Sequence, residues 1–341
     1  MQGQSVAWAW HDAGMTSDPD PHLLDRHRDA EQVALVRGLA AEVAARHGGD
    51  LTRMRRANGY SNATWVGDGI AVRIAQEPVD MAREVALVRA LPAAVGYPEL
   101  LEEGTTQGHG WIVTRQVPGR NLAEAWPTLP AATQRAAVDQ LWDRARIVHE
   151  ATPTLAASVP SHGGFVPASV EAATASVQRA GNALDLSEAR RSRLLGLVEG
   201  YFRAAPMTRQ VVDHGDLALM NALWDDGVTA LLDFEYAVRA PVEIDLCRLV
   251  CEAGVTEEGE LVGSEAGDAA VQIALREMDP VRGRALIHGA AVLDQLRDLD
   301  IWLGQDAGDE PAEQWRPGRL LLGLLDAEGG YLTPALVSRT P

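Results

Sequence analysis

Val212-Asp213-His214-Gly215-Asp216-Leu217-Ala218-Leu219-Met220-Asn221, followed downstream by Leu231-Leu232-Asp233-Phe234-Glu235, is the part of this 341-residue chain whose reading decides the fold. An Asp stands five positions before an Asn, and a second Asp closes an apolar run. Phosphoryl transfer needs such a set. One carboxylate orients a hydroxyl and accepts its proton, while an amide and a second carboxylate hold Mg²⁺ against nucleotide phosphates. The flanks suit that reading. Gln210-Val211-Val212 is a β-branched lead-in, and Ala222-Leu223-Trp224 and Thr229-Ala230-Leu231-Leu232 read as strands on either side of the turn Asp225-Asp226-Gly227. The expected order is strand, loop, strand, tight turn, strand. Asp216 is then the candidate catalytic base, and Asn221 and Asp233 the candidate metal ligands on neighbouring strand ends. The competing reading makes His214-Gly215-Asp216 an ordinary Asx-type turn and Asp233 a strand-terminating carboxylate.

With these residues the chain resembles the aminoglycoside phosphotransferase family of small-molecule kinases, relatives of the protein kinases, over about residues 30 to 330. That family's catalytic loop reads His-Gly-Asp with an Asn at the same interval, matched here by His214, Gly215, Asp216 and Asn221. The resemblance implies an α+β, two-lobed protein-kinase-like fold. Its N-lobe is a small antiparallel sheet with a helix, and its larger C-lobe is mostly helical. It implies ATP or GTP as co-substrate and Mg²⁺ as cofactor, with Asp233 at the metal-binding Asp of the protein-kinase Asp-Phe-Gly segment and Glu235 replacing the Gly. Ala240-Pro241-Val242-Glu243-Ile244-Asp245-Leu246 is similar to the family's Pro-x-x-x-Asp-Leu segment. By that resemblance Asp245, together with His214, supports the catalytic loop structurally.

The amino-terminal part then holds the nucleotide. Met54-Arg55-Arg56-Ala57, Ala63-Thr64-Trp65-Val66 and Ile70-Ala71-Val72-Arg73-Ile74 read as three strands joined by turns at Asn58-Gly59-Tyr60-Ser61-Asn62 and Gly67-Asp68-Gly69. Gly59 allows close backbone approach to phosphates, and Ser61 and Asn62 can donate hydrogen bonds to them. The chain contains no lysine: its 30 basic residues are all arginine. A kinase-like fold commonly places a lysine on the third strand to hold the α- and β-phosphates and pair with a helix glutamate. Arg73 stands there, and Glu84 in the helical run Met81–Leu91 is its candidate partner. Arginine keeps its charge and offers two donors, so it can serve in the same place. The bland alternative is an edge-strand arginine beside an exposed glutamate, contributing about 0–1 kcal/mol. By resemblance Arg115-Gln116-Val117-Pro118-Gly119-Arg120 is the hinge, where backbone groups of Arg115 and Val117 bind a purine edge. The domains expected are an N-terminal lobe at 1–114, the hinge at 115–120 and a C-terminal lobe at 121–341.

Beyond the hinge the pattern turns helical. Apolar residues recur at intervals of three and four over Gln134–Glu150, Val170–Leu184, Glu188–Phe202, Ala285–Leu303 and Arg319–Ala327, and before the strands over Asp29–Arg46. Trp8 and Trp10 are candidates to dock on the fold. Cys247 and Cys251, four apart on one helix face, read as core thiols, since two thiols without histidine make a poor zinc site.

A hydrophobic fraction of 46% suffices for an extended core. No apolar run is long enough to span a bilayer, and the start lacks a signal-peptide pattern, so a cytoplasmic protein with no membrane partner is expected. The net charge of −18 argues against nucleic acid and suits a cationic small molecule or simple solubility. Asp294 and Asp298 lie one turn apart and read as a solvated helix face, with a substrate groove, shared with Asp300, as the alternative. The function expected is transfer of a γ-phosphate to a hydroxyl of an antibiotic of aminoglycoside, macrolide, peptide or nucleoside type, by a monomer or homodimer. The alternatives are a metabolic kinase for a choline-, sugar- or amino-alcohol-like substrate and a non-catalytic nucleotide-binding scaffold. Protein kinase chemistry is disfavoured, because Gly215 stands where protein kinases carry Arg and no Ala-Pro-Glu element follows.

Overall fold

The computed structural model describes residues 30–57, 62–254, 263–304 and 311–326. They form two compact units, a smaller one from residues 30–89 and 98–118 and a larger one from residues 90–97, 119–304 and 311–326. Among the described residues no helix is long and apolar enough to cross a membrane. The expected Gly59 and Ser61 phosphate contacts, and Trp8 and Trp10, lie outside the described residues.

In the smaller unit helix α1 (Ala30–Arg46) precedes strands β1 (Arg55–Ala57), β2 (Asn62–Gly67) and β3 (Ile70–Ala75). Helix α2 (Ala82–Ala90) and strands β4 (Leu100–Thr106) and β5 (His109–Arg115) complete it. The sheet is antiparallel in the order β1-β2-β3-β5-β4. Strand alternation sorts the side chains of β3 onto two faces. Ile70, Val72 and Ile74 are buried with Val36, Ala40 and Val43 of α1. Ala75, from the other set, packs with Met81, Val85 and Ile112. Arg73 belongs to that second set, in register with Thr64 on β2 and Ile112 on β5. A cavity of about 210 Å³ lined by Val33, Val36, Met54 and Trp65 opens on the α1 face, away from Arg73.

Strand β4 was not legible as a strand, because Leu-Leu-Glu-Glu-Gly-Thr-Thr shows no alternation. It is an edge strand held by β5, with a register shift between Leu100 and Glu102. The Trp111 ring covers Gly104, where a Cβ would come within 2.3 Å of it.

The larger unit contains β6 (Arg120–Asn121), α3 (Ala131–Glu150), α4 (Val170–Ala183) and α5 (Glu188–Ala204). Then come β7 (Gln210–Asp213), β8 (Ala222–Trp224), β9 (Val228–Leu231) and β10 (Val238–Pro241). Helices α6 (Glu243–Gly254), α7 (Glu265–Glu277), α8 (Gly283–Leu303) and α9 (Arg316–Asp326) follow. Two small antiparallel sheets, β6-β8-β9 and β7-β10, carry the loops of interest. Helix α8 is apolar on most sides, with Leu286, Ile287, Val292, Leu296 and Leu299 buried, and packs against α4, α5, α6 and α9. Gly289 lets α5 approach it, since a Cβ would meet Tyr201 Cβ at 2.4 Å. The Ala- and Gly-rich α7 escaped the periodicity reading; Ser264 caps it by accepting the Gly267 N–H at 3.0 Å. Cys247 and Cys251 are buried in α6, and neither is in a disulfide.

Candidate active site

Strand β7 ends at Asp213, and the loop that follows is clamped from behind by the first turn of α6. Asp245 Oδ2 accepts the His214 N–H at 2.9 Å, and its Oδ1 accepts the Gly215 N–H at 3.0 Å. His149 of α3 adds a third bond, its Nε2 lying 2.8 Å from Asp245 Oδ2. Burial works against the Asp245 charge, yet the His149 hydrogen bond, the fields of His149 and His214 and the loop N–H donor hold its carboxyl below the ordinary range. Asp213 goes the other way. It is fully buried beside Asp245 and Glu243, so burial first and like charge second push its carboxyl well above the ordinary range. Among the described residues His149, Asp213 and Asp245 are the one cluster with metal-type ligand atoms close together. Both Asp245 oxygens already accept N–H groups, so the cluster is built as a brace for the loop.

Two backbone features shape the turn. Gly215 has φ +79°, and a Cβ there would lie 2.0 Å from the Tyr236 carbonyl oxygen, so only glycine fits. Asp233 has φ +60°, a left-handed conformation that Asp tolerates better than most residues. His214 joins the two segments. Its Nε2 lies 2.8 Å from the Leu232 carbonyl, and its Nδ1 accepts the Asp216 N–H at 3.4 Å. Its ring also packs on Phe234, with centroids 4.5 Å apart.

The short turn Leu219–Asn221 brings Asn221 back onto Asp216. Asn221 Nδ2 donates to the Asp216 carbonyl at 2.9 Å and to Asp216 Oδ2 at 3.0 Å. Its own carbonyl accepts the Leu232 N–H at 2.8 Å, which draws the Asp233 segment alongside. With the amide nitrogen committed, Asn221 presents an amide oxygen. That oxygen and the Asp233 carboxylate are hard oxygen donors of the kind Mg²⁺ takes, so the residues present fit the ion.

A residue that sequence reasoning missed completes this site. Arg248, one turn along α6 from Asp245, is half-buried, with its Nε 2.9 Å from Asp216 Oδ1 in an ion pair. Its terminal nitrogens lie 3.4 Å from Asp294 Oδ2, 3.8 Å from Glu252 Oε1 and 3.9 Å from Asp298 Oδ2. The expectation that Asp294 and Asp298 form a solvated face is therefore corrected: Asp294 is only 5% exposed. Burial raises the Asp294 carboxyl to about 7 against the pull of Arg248, and burial raises Asp298 as well. The available signal was the position of Asp294 inside the apolar run Ala290–Leu296. Asp300 stands apart from this group and pairs with Arg179 and Ser176. His288 is a core residue whose burial, helped by Arg284, lowers its pKa to about 4.

In the smaller unit Arg73 and Glu84 form an ion pair, with side chains 14% and 4% exposed. This is a shielded pair reached from a central strand rather than an exposed one at an edge. Asn62 opens β2 opposite Ala75 and is buried. Arg115 ends β5 with its N–H donated to the Glu99 carbonyl at 2.9 Å, and Gln116 donates to the Gly69 carbonyl at 2.9 Å. Val117, half-buried, follows.

A family model described as the phosphotransferase enzyme family, APH, matches residues 52–286. Among solved structures the chain is similar to APH(2")-IIia in complex with GDP and kanamycin, at 17% identity and a TM-score of 0.60, covering 89% of this chain and 99% of that one. It is similar to a thermostable mutant of APH(4)-Ia in ternary complex with AMP-PNP and hygromycin B, at 14% identity and a TM-score of 0.59, over 87% and 98% of the two chains. It is similar also to a choline/ethanolamine kinase family protein from Mesorhizobium loti, at 19% identity and a TM-score of 0.61, over 89% and 99%. No curated protein matches the sequence. The likenesses establish the two-lobed, kinase-like α+β fold.

Proposed function

The chain belongs to the APH phosphotransferase family, and we propose that it transfers the γ-phosphate of ATP or GTP to a hydroxyl of a small molecule. The observation that carries this reading is the coupling of Asp216 to Asn221. A carboxylate is held at 3.0 Å by an amide whose oxygen is turned to other use, on a loop whose backbone Asp245 clamps. Asp216 orients the acceptor hydroxyl and takes its proton as the oxygen attacks the γ-phosphorus; the bond from the γ-phosphorus to the β-bridging oxygen breaks and the nucleoside diphosphate leaves. Asn221 and Asp233 would hold Mg²⁺, which neutralises charge on the phosphates. Arg73, set by Glu84, steadies the α- and β-phosphates, and Ser61 and Asn62 cover the rest. The Arg115 N–H is already donated to Glu99, so its contribution to a purine edge comes from its carbonyl, beside the Val117 N–H. His214 and Asp245 keep the loop in shape.

The acceptor we propose is an antibiotic. Phosphorylation adds about two negative charges and bulk, which spoils recognition by a drug's target. Kanamycin and hygromycin B accompany two structures of similar fold. The second reading is a metabolic kinase for an amino alcohol or sugar, favoured by the likeness to the choline/ethanolamine kinase family protein. Purified protein with Mg·ATP or Mg·GTP, tested on a panel of hydroxylated antibiotics and metabolites, separates the two. Asp216→Asn is expected to lower transfer to any accepted substrate by roughly 10²–10⁴-fold, in keeping with loss of a general base. Unchanged transfer would remove Asp216 from the role.

A further inference from the structure

We propose that Arg248 is the positioning residue for Asp216: its guanidinium, seated among Asp294, Asp298 and Glu252, holds the one carboxylate oxygen of Asp216 that Asn221 does not. The proposal rests on Asp216 being the base. Its geometric ground is that the two oxygens have different holders. Asn221 Nδ2 is 3.0 Å from Oδ2, and Arg248 Nε is 2.9 Å from Oδ1. The first contact is a hydrogen bond and the second an ion pair without hydrogen-bond alignment, so one oxygen is tied by direction and the other drawn by charge, and the carboxylate is biased toward one orientation before an acceptor arrives.

The guanidinium is itself held along its remaining edges. One terminal nitrogen faces Asp294 and Asp298, the other faces Glu252, and the Phe165 ring lies 5.4 Å from its centre. Arg297 closes the same neighbourhood, 3.3 Å from Asp298 and stacked over Phe165 and Tyr236. Four carboxylates around Arg248 exceed what charge neutrality asks of it. The surplus anchors the guanidinium in one orientation, a use to which a planar fork of donors is suited and a lysine ammonium is not.

Helix α6 thereby fixes the loop twice. Asp245 takes the backbone N–H groups of His214 and Gly215, and Arg248, three residues on, takes the side chain of Asp216. Residues three apart share a helix face, so both grips move as one rigid piece.

Arg248→Lys in the full chain keeps the charge and loses the planar group whose three nitrogens reach Asp216, Glu252 and Asp294 at once, so the charge beside Asp216 is displaced. The readout is transfer from Mg·ATP to the fastest acceptor of the panel, water included, with KM for ATP and the thermal midpoint measured alongside. A fall of about tenfold or more in kcat is expected, within the range that small misplacements of a reacting group cause. KM for ATP should stay within about twofold and the midpoint near that of the parent, a split that general loss of structure does not produce. In an Asp216→Asn background the same substitution should cost nothing further, since the group it positions is gone. An equal loss in both backgrounds, or a changed KM with kcat intact, overturns the role of Arg248 alone. Full activity of Asp216→Asn overturns the base assignment and this proposal together. Should Arg248→Lys fail to fold, Arg248→Gln with Asp294→Asn removes the cation together with the carboxyl nearest its terminal nitrogens and meets the same two-background test.

Discussion

At Gly215 the backbone turns with φ +79° beneath the Tyr236 carbonyl, leaving 2.0 Å for a Cβ, so the residue before Asp216 answers to sterics as well as chemistry. Gly215→Ala should destabilise the chain by about 1–3 kcal/mol, the range for a residue forced into a sparsely populated backbone region, read from a urea midpoint. Any relaxation that relieves the clash must rotate the peptide linking Gly215 to Asp216, so transfer should fall further than stability does. An alanine variant of parental stability and rate would show that the turn has room after all. Arg73 makes a related point. Its place on β3 suited a lysine-like role from pattern alone, while its shielding with Glu84 became visible only with both side chains in place.

The decisive element is α6, whose first turn carries Asp245 and whose second carries Arg248 against Asp294 of α8. Asp294 has an ordinary value of 3.8 and is raised to about 7 in the folded chain. The folded state therefore binds more protons than the unfolded state between those values. Its contribution to stability is complete below about pH 4 and disappears as pH rises through about 7. His288 is lowered from 6.5 to about 4, so its contribution grows as pH rises across that interval, and the total profile mixes both. Subtracting the melting profile of Asp294→Asn isolates the first group. The parent-minus-variant difference in Tm should decline from pH 4 to about pH 7.5, and a flat difference would contradict burial of that carboxylate.

At the scale of the whole molecule, the proposed function makes nucleotide binding depend on the Arg73–Glu84 pair and, where metal is present, on Asn221 and Asp233. A nucleotide that binds only folded protein stabilises it by about 2.7 kcal/mol at a hundredfold excess over Kd. Mg·AMP-PNP should therefore raise the melting midpoint of the parent. Asp233→Asn should remove the part of that rise that EDTA abolishes, and Arg73→Ala should diminish the rise with or without metal. Equal shifts in all three proteins would count against both pairs as nucleotide contacts.

Much of this molecule is written in short windows of sequence. The Asp216-to-Asn221 interval, the turn at Asp225-Asp226-Gly227 between β8 and β9, and the alternation that sets Arg73 opposite Ile74 are all local. Backbone periods of two and three-to-four residues express themselves within a few neighbours, which is why most helices were bounded to within a few residues. Edge strand β4, the two-residue β6 and the short β10 lacked such a signature, since each exists only because a partner strand is there to pair with. The loop's support is the least local part. His149 reaches Asp245 across 96 positions and Arg248 reaches Asp294 across 46. The carboxylate proposed as the base could be named from its neighbours in the chain. What grips it depends on which helices pack together, because burial and ion pairing arise between segments that the chain order keeps far apart.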